Sequence, residues 1–285
     1  MAINYDQLLN RKFETLTHDY TEKDSMLYAL GVGLGNEPLN EDCLQFVYED
    51  GLKALPSMGV VLAYPGFWAR EPDTGIDWVK VLHAGQEVII HKPLPASGVV
   101  EATTKITEII DKGEGKGALV VSERVVRDKA TGEDLCTLLS TTMARGDGGF
   151  GGPSTSSSKP DQIPEREPDL VCDLPTLDQA ALIYRLSGDF NPLHASPKVA
   201  RQGGFEKPIL HGLCTFGVAT HALLKTLCDY DPARFHRIRL RFSAPVYPGE
   251  TIRTEMWRDG NKVAFRCRSV ERDLVVINNG YAEVS

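Results

Sequence analysis

The stretch "YRLSGDFNPLHASPK", residues 184–198, ends a helical pattern and opens a loop, and it sets Asp189, Asn191, Pro192 and His194 within six residues. Its Asn-Pro and Ser-Pro steps disfavour helix, so the acid and the histidine belong to a loop. Upstream, "TLDQAALIYRLSG" (176–188) starts as a helix, because Thr176 and Gln179 have capping-box spacing and apolar residues recur at helical intervals. Downstream, "HGLCTFGVATHALLKTL" (211–227) reads as a second helix, with Leu213, Phe216, Gly217, Thr220, Leu223, Leu224 and Leu227 along one stripe. Four alternating runs follow: "RIRLRFSAPV", "TIRTEMWR", "KVAFRCRSVE" and "LVVINNGYAEV". Pro-Gly and Asp-Gly-Asn turns separate them, and "WRDGNKVAF" carries a hairpin signal.

The first half of the chain repeats this order. "TEKDSMLYALGVGLGNEPLN" (21–40) lines up with "LDQAALIYRLSGDFNPLH" (177–194), pairing Tyr28 with Tyr184 and Pro38-Leu39-Asn40 with Pro192-Leu193-His194. "KPLPASGVVEATTKI" (92–106) then lines up with "APVYPGETIRTEMW" (244–257). Two matches in the same order indicate a duplication. The first copy lacks the acid and the histidine, offering Gly33 and Asn40, so the chemistry belongs to the second copy. Between the copies lies "RGDGGFGGPSTSSSKPDQIPEREP" (145–168), too poor in apolar residues to offset its own ordering entropy. The expected organisation is a degenerate half over 1–144, a linker over 145–168 and a catalytic half over 169–285. A helix followed by a strand meander, twice, is an α+β pattern with helices packed on antiparallel sheet.

The chain of 285 residues is long enough for this, and its 42% hydrophobic content supplies a sizeable core. A net charge of -8 argues against a general nucleic-acid binder, while leaving room for a local basic patch facing a phosphorylated ligand. Six scattered cysteines without a CxxC read as reduced intracellular thiols. No apolar core of signal-peptide length and no run of about 20 apolar residues occurs, so a soluble chain without a membrane span is expected. The ending "GYAEVS" matches no Ser-Lys-Leu address.

An acid, a histidine and the free N–H groups of a helix starting at Gly212 are what proton transfer beside a carbonyl requires. The plainer alternative makes Asp189 a turn residue and His194 a satisfied polar core residue. His18, His83, His91, His211, His221 and His236 show no zinc-motif spacing, and a metal shared by His211 and Asp189 is a minor alternative. There is no G-x-S-x-G, and "LGVGLG" (30–35) follows a helix rather than a strand, the reverse of a dinucleotide fingerprint.

The run "YRLSGDFNPLHASPKVARQGGFEKPILHGLCTFG" resembles the signature of the (R)-specific 2-enoyl-CoA hydratases, the hydratase 2 group of the MaoC-like hot-dog superfamily. That group includes the hydratase domain of the multifunctional enzymes type 2 of peroxisomal β-oxidation. The resemblance extends through "PVYPGETIRTEMW", "FVYED", "VLHAGQEVIIHKPLPASG" and "GDGGFGG". It implies a double hot dog, each half a long helix wrapped by a curved antiparallel sheet. It implies syn hydration of trans-2-enoyl-CoA to (3R)-3-hydroxyacyl-CoA, with Asp189 and His194 activating water, Asn191 helping to hold it, and Gly212 donating to the thioester oxygen. Glu49 is implied near the site from the other half. His83, Ala84, Lys112 and Phe242, with Phe190, Pro192 and Leu193 of the loop, are implied to contact the acyl-CoA. The first half, including 58–75, is implied to house a long acyl chain. No metal or redox cofactor is implied, CoA being part of the substrate, and a homodimer is plausible. The compartment implied is the peroxisome, with the cytoplasm as alternative. A stand-alone hydratase and a piece of a longer chain both fit. A carrier-protein dehydratase, a thioesterase and a non-catalytic acyl-CoA binder are the rival readings on the same fold.

Overall fold

A computed structural model describes residues 3–156 and 160–285; residues 157–159 of the expected linker lie outside that range, as do residues 1–2. The first half contains α1 (Tyr5–Leu9), β1 (Leu16–Tyr20), α2 (Glu22–Gly31), α3 (Glu41–Leu44), β2 (Val81–Ile90), β3 (Gly98–Asp111), β4 (Ala118–Asp128) and β5 (Asp134–Ala144). The second contains β6 (Leu170–Pro175), α4 (Ala180–Tyr184), α5 (Pro197–Gln202), α6 (Gly212–Leu227), β7 (Phe235–Phe242), β8 (Thr251–Asp259), β9 (Lys262–Ser269) and β10 (Leu274–Val284).

All ten strands form one antiparallel sheet in the order β1-β3-β4-β5-β2-β7-β10-β9-β8-β6. Read from its two ends, that order is the same series twice: β1 matches β6, β3 matches β8, and so on inward to β2 and β7. The halves meet where Gly85 pairs with Arg241 and Val88 with Ile238. The two segments aligned in sequence, 92–106 and 244–257, lead into the equivalent strands β3 and β8. The aligned helices α2 and α4 pack on each other, with buried Tyr28 and Tyr184 rings 5.8 Å apart. This is a double hot dog. The edge strands β1 and β6, of five and six residues, are too short to stand out in sequence.

Three local expectations change. First, Thr176 does not cap a helix. Its hydroxyl donates to the Glu250 carbonyl at 2.8 Å and accepts from the Gly249 N–H at 3.0 Å. That hydroxyl is already committed across the sheet, so α4 begins later, after Gln179. The working capping box is in the first copy, where Asp24 accepts from the Thr21 N–H at 2.8 Å. Second, α6 is wrapped on nearly every side rather than along one stripe: 12 of its 16 residues are buried. A Cβ on Gly217 would lie 2.4 Å from Val32 Cγ1, so only glycine admits the first half this closely. Third, among the described residues the long helix occurs in the second half alone. In the first half its place against β2, β5 and α6 is taken by a 3-10 turn, Pro56–Val60. Pro56 at its first position bars a helix from extending upstream, and Gly59, a poor helix former, has no room for a side chain, since a Cβ would lie 2.8 Å from Cys136 Sγ.

The described part of the 145–168 segment is also more firmly held than its composition implies. Asp161 takes two hydrogen bonds from Arg239, each 2.9 Å, and Trp257 Nε1 donates to the Arg166 carbonyl at 2.8 Å. Polar contacts to the outer face of the second half supply what apolar burial does not. Among the described residues no helix is long and apolar enough to cross a membrane.

Candidate active site

The loop after α4 is organised by its own side chains. Asp189 accepts the Asn191 N–H at 3.1 Å, and Asn191 accepts the Leu193 N–H at 3.0 Å. Such Asx turns need no distant partner, so the short polar residues themselves shape the loop. Pro192 then opens a single 3-10 turn, Pro192–His194, that drives the histidine inward. His194 is buried while Asp189 is half-buried and Asn191 exposed.

The His194 ring is held in one tautomer. Its Nδ1 lies 2.8 Å from the Ile209 carbonyl. A carbonyl only accepts, so Nδ1 carries the hydrogen and Nε2 is left as a bare base. Burial pushes the His194 pKa below the ordinary histidine value, against the pull of Asp189, which favours the charged form. The imidazole is therefore neutral at physiological pH.

Close by, α6 begins at Gly212, with His211 as its N-cap. The Gly212 and Leu213 N–H groups make no backbone hydrogen bond among the described residues, as the first turn of a helix dictates. The Phe242 ring lies against Gly212, 3.5 Å from where its Cβ would be. The His83 ring meets Phe242 edge-on, with centroids 5.0 Å apart. The seam between β2 and β7 thus brings His83 and Phe242 from separate halves to the start of α6. His83 Nε2 lies 3.0 Å from the Gly85 carbonyl and 3.1 Å from the Ser140 hydroxyl, and burial pushes its pKa down to about 4. Ala84 sits in the register shift between His83 and Gly85. Tyr64, from the first half, is close enough for the Asp189 charge to raise its phenol pKa, behind the larger effect of burial.

Phe190, Pro192 and Leu193 share the loop of Asp189 and His194; Phe190 is exposed beneath the Arg185 guanidinium, 5.1 Å from its ring centre. Lys112 is exposed on the turn between β3 and β4. Asp111 ties that turn to the glycine-rich run 146–152 by accepting N–H groups from Gly113, Gly149 and Gly151 at 2.8, 2.7 and 2.8 Å. Glu49 is not brought to this group. It is exposed and makes no hydrogen bond or ion pair among the described residues. Its neighbour Phe46 packs on Tyr230, past the C-terminal end of α6 and away from the Gly212 end.

The sequence paired His211 with the loop only through a minor metal alternative and did not foresee its packing on His194. It stacks on His194 with centroids 3.7 Å apart and 28° between the rings. The available signal was its position: a histidine directly before a helix start replaces the usual short polar cap. Asp189, His194 and His211 form a group whose ligating atoms lie within 4.8 Å of one another, the one such group among the described residues. Two imidazoles and a carboxylate are a composition that zinc or iron accepts. One nitrogen of each ring is already engaged by a carbonyl, that of Ile209 and that of Asp189, which leaves one nitrogen on each ring.

Known proteins share this architecture. Residues 18–146 match the MFE-2 hydratase 2 N-terminal domain and residues 159–280 match the MaoC like domain. The probable enoyl-CoA hydratase 2 of Dictyostelium discoideum is 39% identical, over 99% of this chain and 97% of its own. Peroxisomal multifunctional enzyme type 2 of Mus musculus is 41% identical over 97% of this chain, which spans 38% of that protein. A MaoC-like dehydratase from Phytophthora capsici superposes with a TM-score of 0.87 at 36% identity, covering 99% of both chains. The chain belongs to the MaoC-like family, in its hydratase 2 group.

Proposed function

We propose that the protein hydrates trans-2-enoyl-CoA reversibly to (3R)-3-hydroxyacyl-CoA, as a step of fatty-acid β-oxidation. One observation carries the mechanism: the Ile209 carbonyl holds His194 with Nε2 bare, beside the Asp189 carboxylate and at the N-terminus of α6. Water is held between Asp189 and His194, with Asn191 framing the loop. Its oxygen bonds to the β-carbon as a proton passes to the pair. The electron pair of the double bond moves onto the thioester oxygen, where the Gly212 N–H and the helix dipole meet the growing charge. The enolate then takes a proton at the α-carbon on the same face, and the pair is restored. The reverse path is dehydration through the same groups. No metal or redox cofactor has a step.

The chemistry is assigned to 169–285 and the acyl chain to 1–144, with 145–168 joining them. His83, Ala84, Lys112 and Phe242 are assigned to the CoA thioester, with Phe190, Pro192 and Leu193 at the loop. Glu49 takes no step in this scheme. The peroxisomal relative supports a peroxisomal site of action, and the hot-dog architecture supports a homodimer, to be read from sedimentation equilibrium.

The test follows loss of enoyl-thioester absorbance with crotonyl-CoA and trans-2-decenoyl-CoA, the product being passed to R- and S-specific dehydrogenases. Rapid loss giving only the R product, abolished in His194→Ala, is the expected result. Release of free thiol without hydration would replace this reading with a thioesterase.

A further inference from the structure

His211 is a buried side chain that the scheme above does not use. It is 1% exposed, and at the N-cap of α6 its side chain makes no capping hydrogen bond. The ring turns to the catalytic loop instead. Nε2 lies 3.2 Å from the Asp189 carbonyl, and one face stacks on His194. The carbonyl requires that Nε2 carry the hydrogen, which leaves Nδ1 bare, buried and without a partner. An orphaned buried acceptor is destabilising, so stability alone does not account for a histidine here.

We infer that His211 is a positioning residue of the catalytic loop, with two separable parts. Its Nε2–H tethers the Asp189 backbone to the start of α6, and its ring is the wall that keeps water from one face of His194. This rests on Asp189 and His194 being the water-activating pair. The tether matters because His211 is bonded directly to Gly212, so one hydrogen bond sets the acid against the N–H that faces the thioester oxygen. The wall matters because burial is what keeps His194 neutral.

His211 must itself stay neutral, since an imidazolium stacked at 3.7 Å would oppose protonation of His194 during turnover. The groups facing it are Tyr184 on α4, with ring centroids 5.0 Å apart, Arg185 just after it, Asp189 and His194. Burial first, then His194, and more weakly Arg185, oppose its charge, while Asp189 favours it; the balance pushes the His211 pKa down to about 4.

Three variants separate the parts. His211→Phe keeps a wall and loses the tether: kcat falls about a hundredfold, as small misplacements of reacting groups do, with KM and the acid limb of the kcat/KM–pH profile unchanged. His211→Gln restores a donor and loses the wall: kcat recovers to within about tenfold of the parent, while water reaches His194 and the acid limb moves up toward about pH 6.5. His211→Ala shows both defects. Three variants with parental kcat and an unmoved acid limb would overturn the inference. So would equal losses of kcat in all three, with lowered Tm and an unmoved acid limb, which is a merely structural role. Full hydration by Asp189→Asn and His194→Ala would instead remove the pair on which the inference stands, whatever the His211 variants do.

Discussion

The two halves share one strand order and differ in what fills the concave side of the sheet. In the second half, α6 satisfies its own backbone carbonyls and presents free N–H groups at Gly212. In the first half, the turn Pro56–Val60 closes the Met58 and Gly59 carbonyls on the Val61 and Leu62 N–H groups but leaves those of Val60 and Ala63 open. Their carbonyls are met from the sheet: the Arg124 guanidinium on β4 donates to Val60 at 2.7 Å, to Gly59 at 3.4 Å and to Ala63 at 3.5 Å. Arg124 is 8% exposed, pairs with no carboxylate among the described residues, and burial pushes its pKa down to about 10. Ala63 is held at a φ of 44°, its N–H on His18 Nδ1 at 3.0 Å and its carbonyl on Arg124. The short turn of the first half thus relies on one buried cation, while the long helix of the second half leaves its first N–H groups open at Gly212.

The largest effect expected from this contrast is on turnover. Asp189→Asn should lower kcat/KM by about a thousandfold or more with circular dichroism unchanged, because proton transfer by a placed group is worth about 10²–10⁴. Matching changes in the first copy's loop, at Gly33 or Asn40, should leave the chemical step intact if the division of labour between the halves is real; a comparable loss there would break it.

Removing the first half's cap is next. Arg124→Met strands the carbonyls of Val60 and Ala63, while that of Gly59 keeps the Leu62 N–H. A cost of about 2–3 kcal/mol is expected in urea unfolding, since each stranded buried acceptor costs about 1–3 kcal/mol and relief of the buried charge returns part of it. An unchanged midpoint would mean the turn satisfies itself.

Acid sharpens the comparison, because neutral histidines with lowered pKa values stand on both sides of the seam. The pKa values of His83 in the first half and of His211 and His221 in the second are pushed down to about 4, foremost by burial. A folded-state value below the unfolded value of about 6.5 means the unfolded chain binds protons first. Stability is therefore full above about pH 6.5 and is lost as pH falls toward about 4. His221→Gln should flatten the slope of unfolding free energy in that window, measured by urea titration at several pH values.

The smallest effect concerns strain. Ala63→Gly should raise stability by about 0.5–1 kcal/mol, since glycine adopts positive φ without the steric cost that alanine bears. A fall in Tm would show that the two hydrogen bonds at residue 63 already hold the turn in its best conformation.

The strands, the hairpin between Trp257 and Phe265, α6 and the loop carrying Asp189 and His194 were legible because each rests on local rules: alternation, turn residues and Asx geometry. The duplication was legible too, since two segments kept their order. Less was legible where a residue could serve either its neighbours or a distant element. Thr176 has the spacing of a cap, yet its hydroxyl is used by Gly249 and Glu250, 73 and 74 residues away. Helical periodicity named one stripe of α6, yet residues off it are covered too, Cys214 and His221 by the Gly31 and Val32 carbonyls of the first half.

What the sequence by itself determined is the duplicated α+β order, and the acid, amide and histidine on one loop of the second copy. They lie within one short loop, so no tertiary contact is needed to bring them together. Only the tertiary structure decided that the first half has no long helix, that Arg124 caps its turn, that His83 and Phe242 meet at Gly212, and that His211 closes over His194. Each of those contacts crosses the seam, spans strands or joins a loop to a helix start. It depends on which backbone polar groups remain unpaired once the sheet has closed, and no local pattern of residues records that.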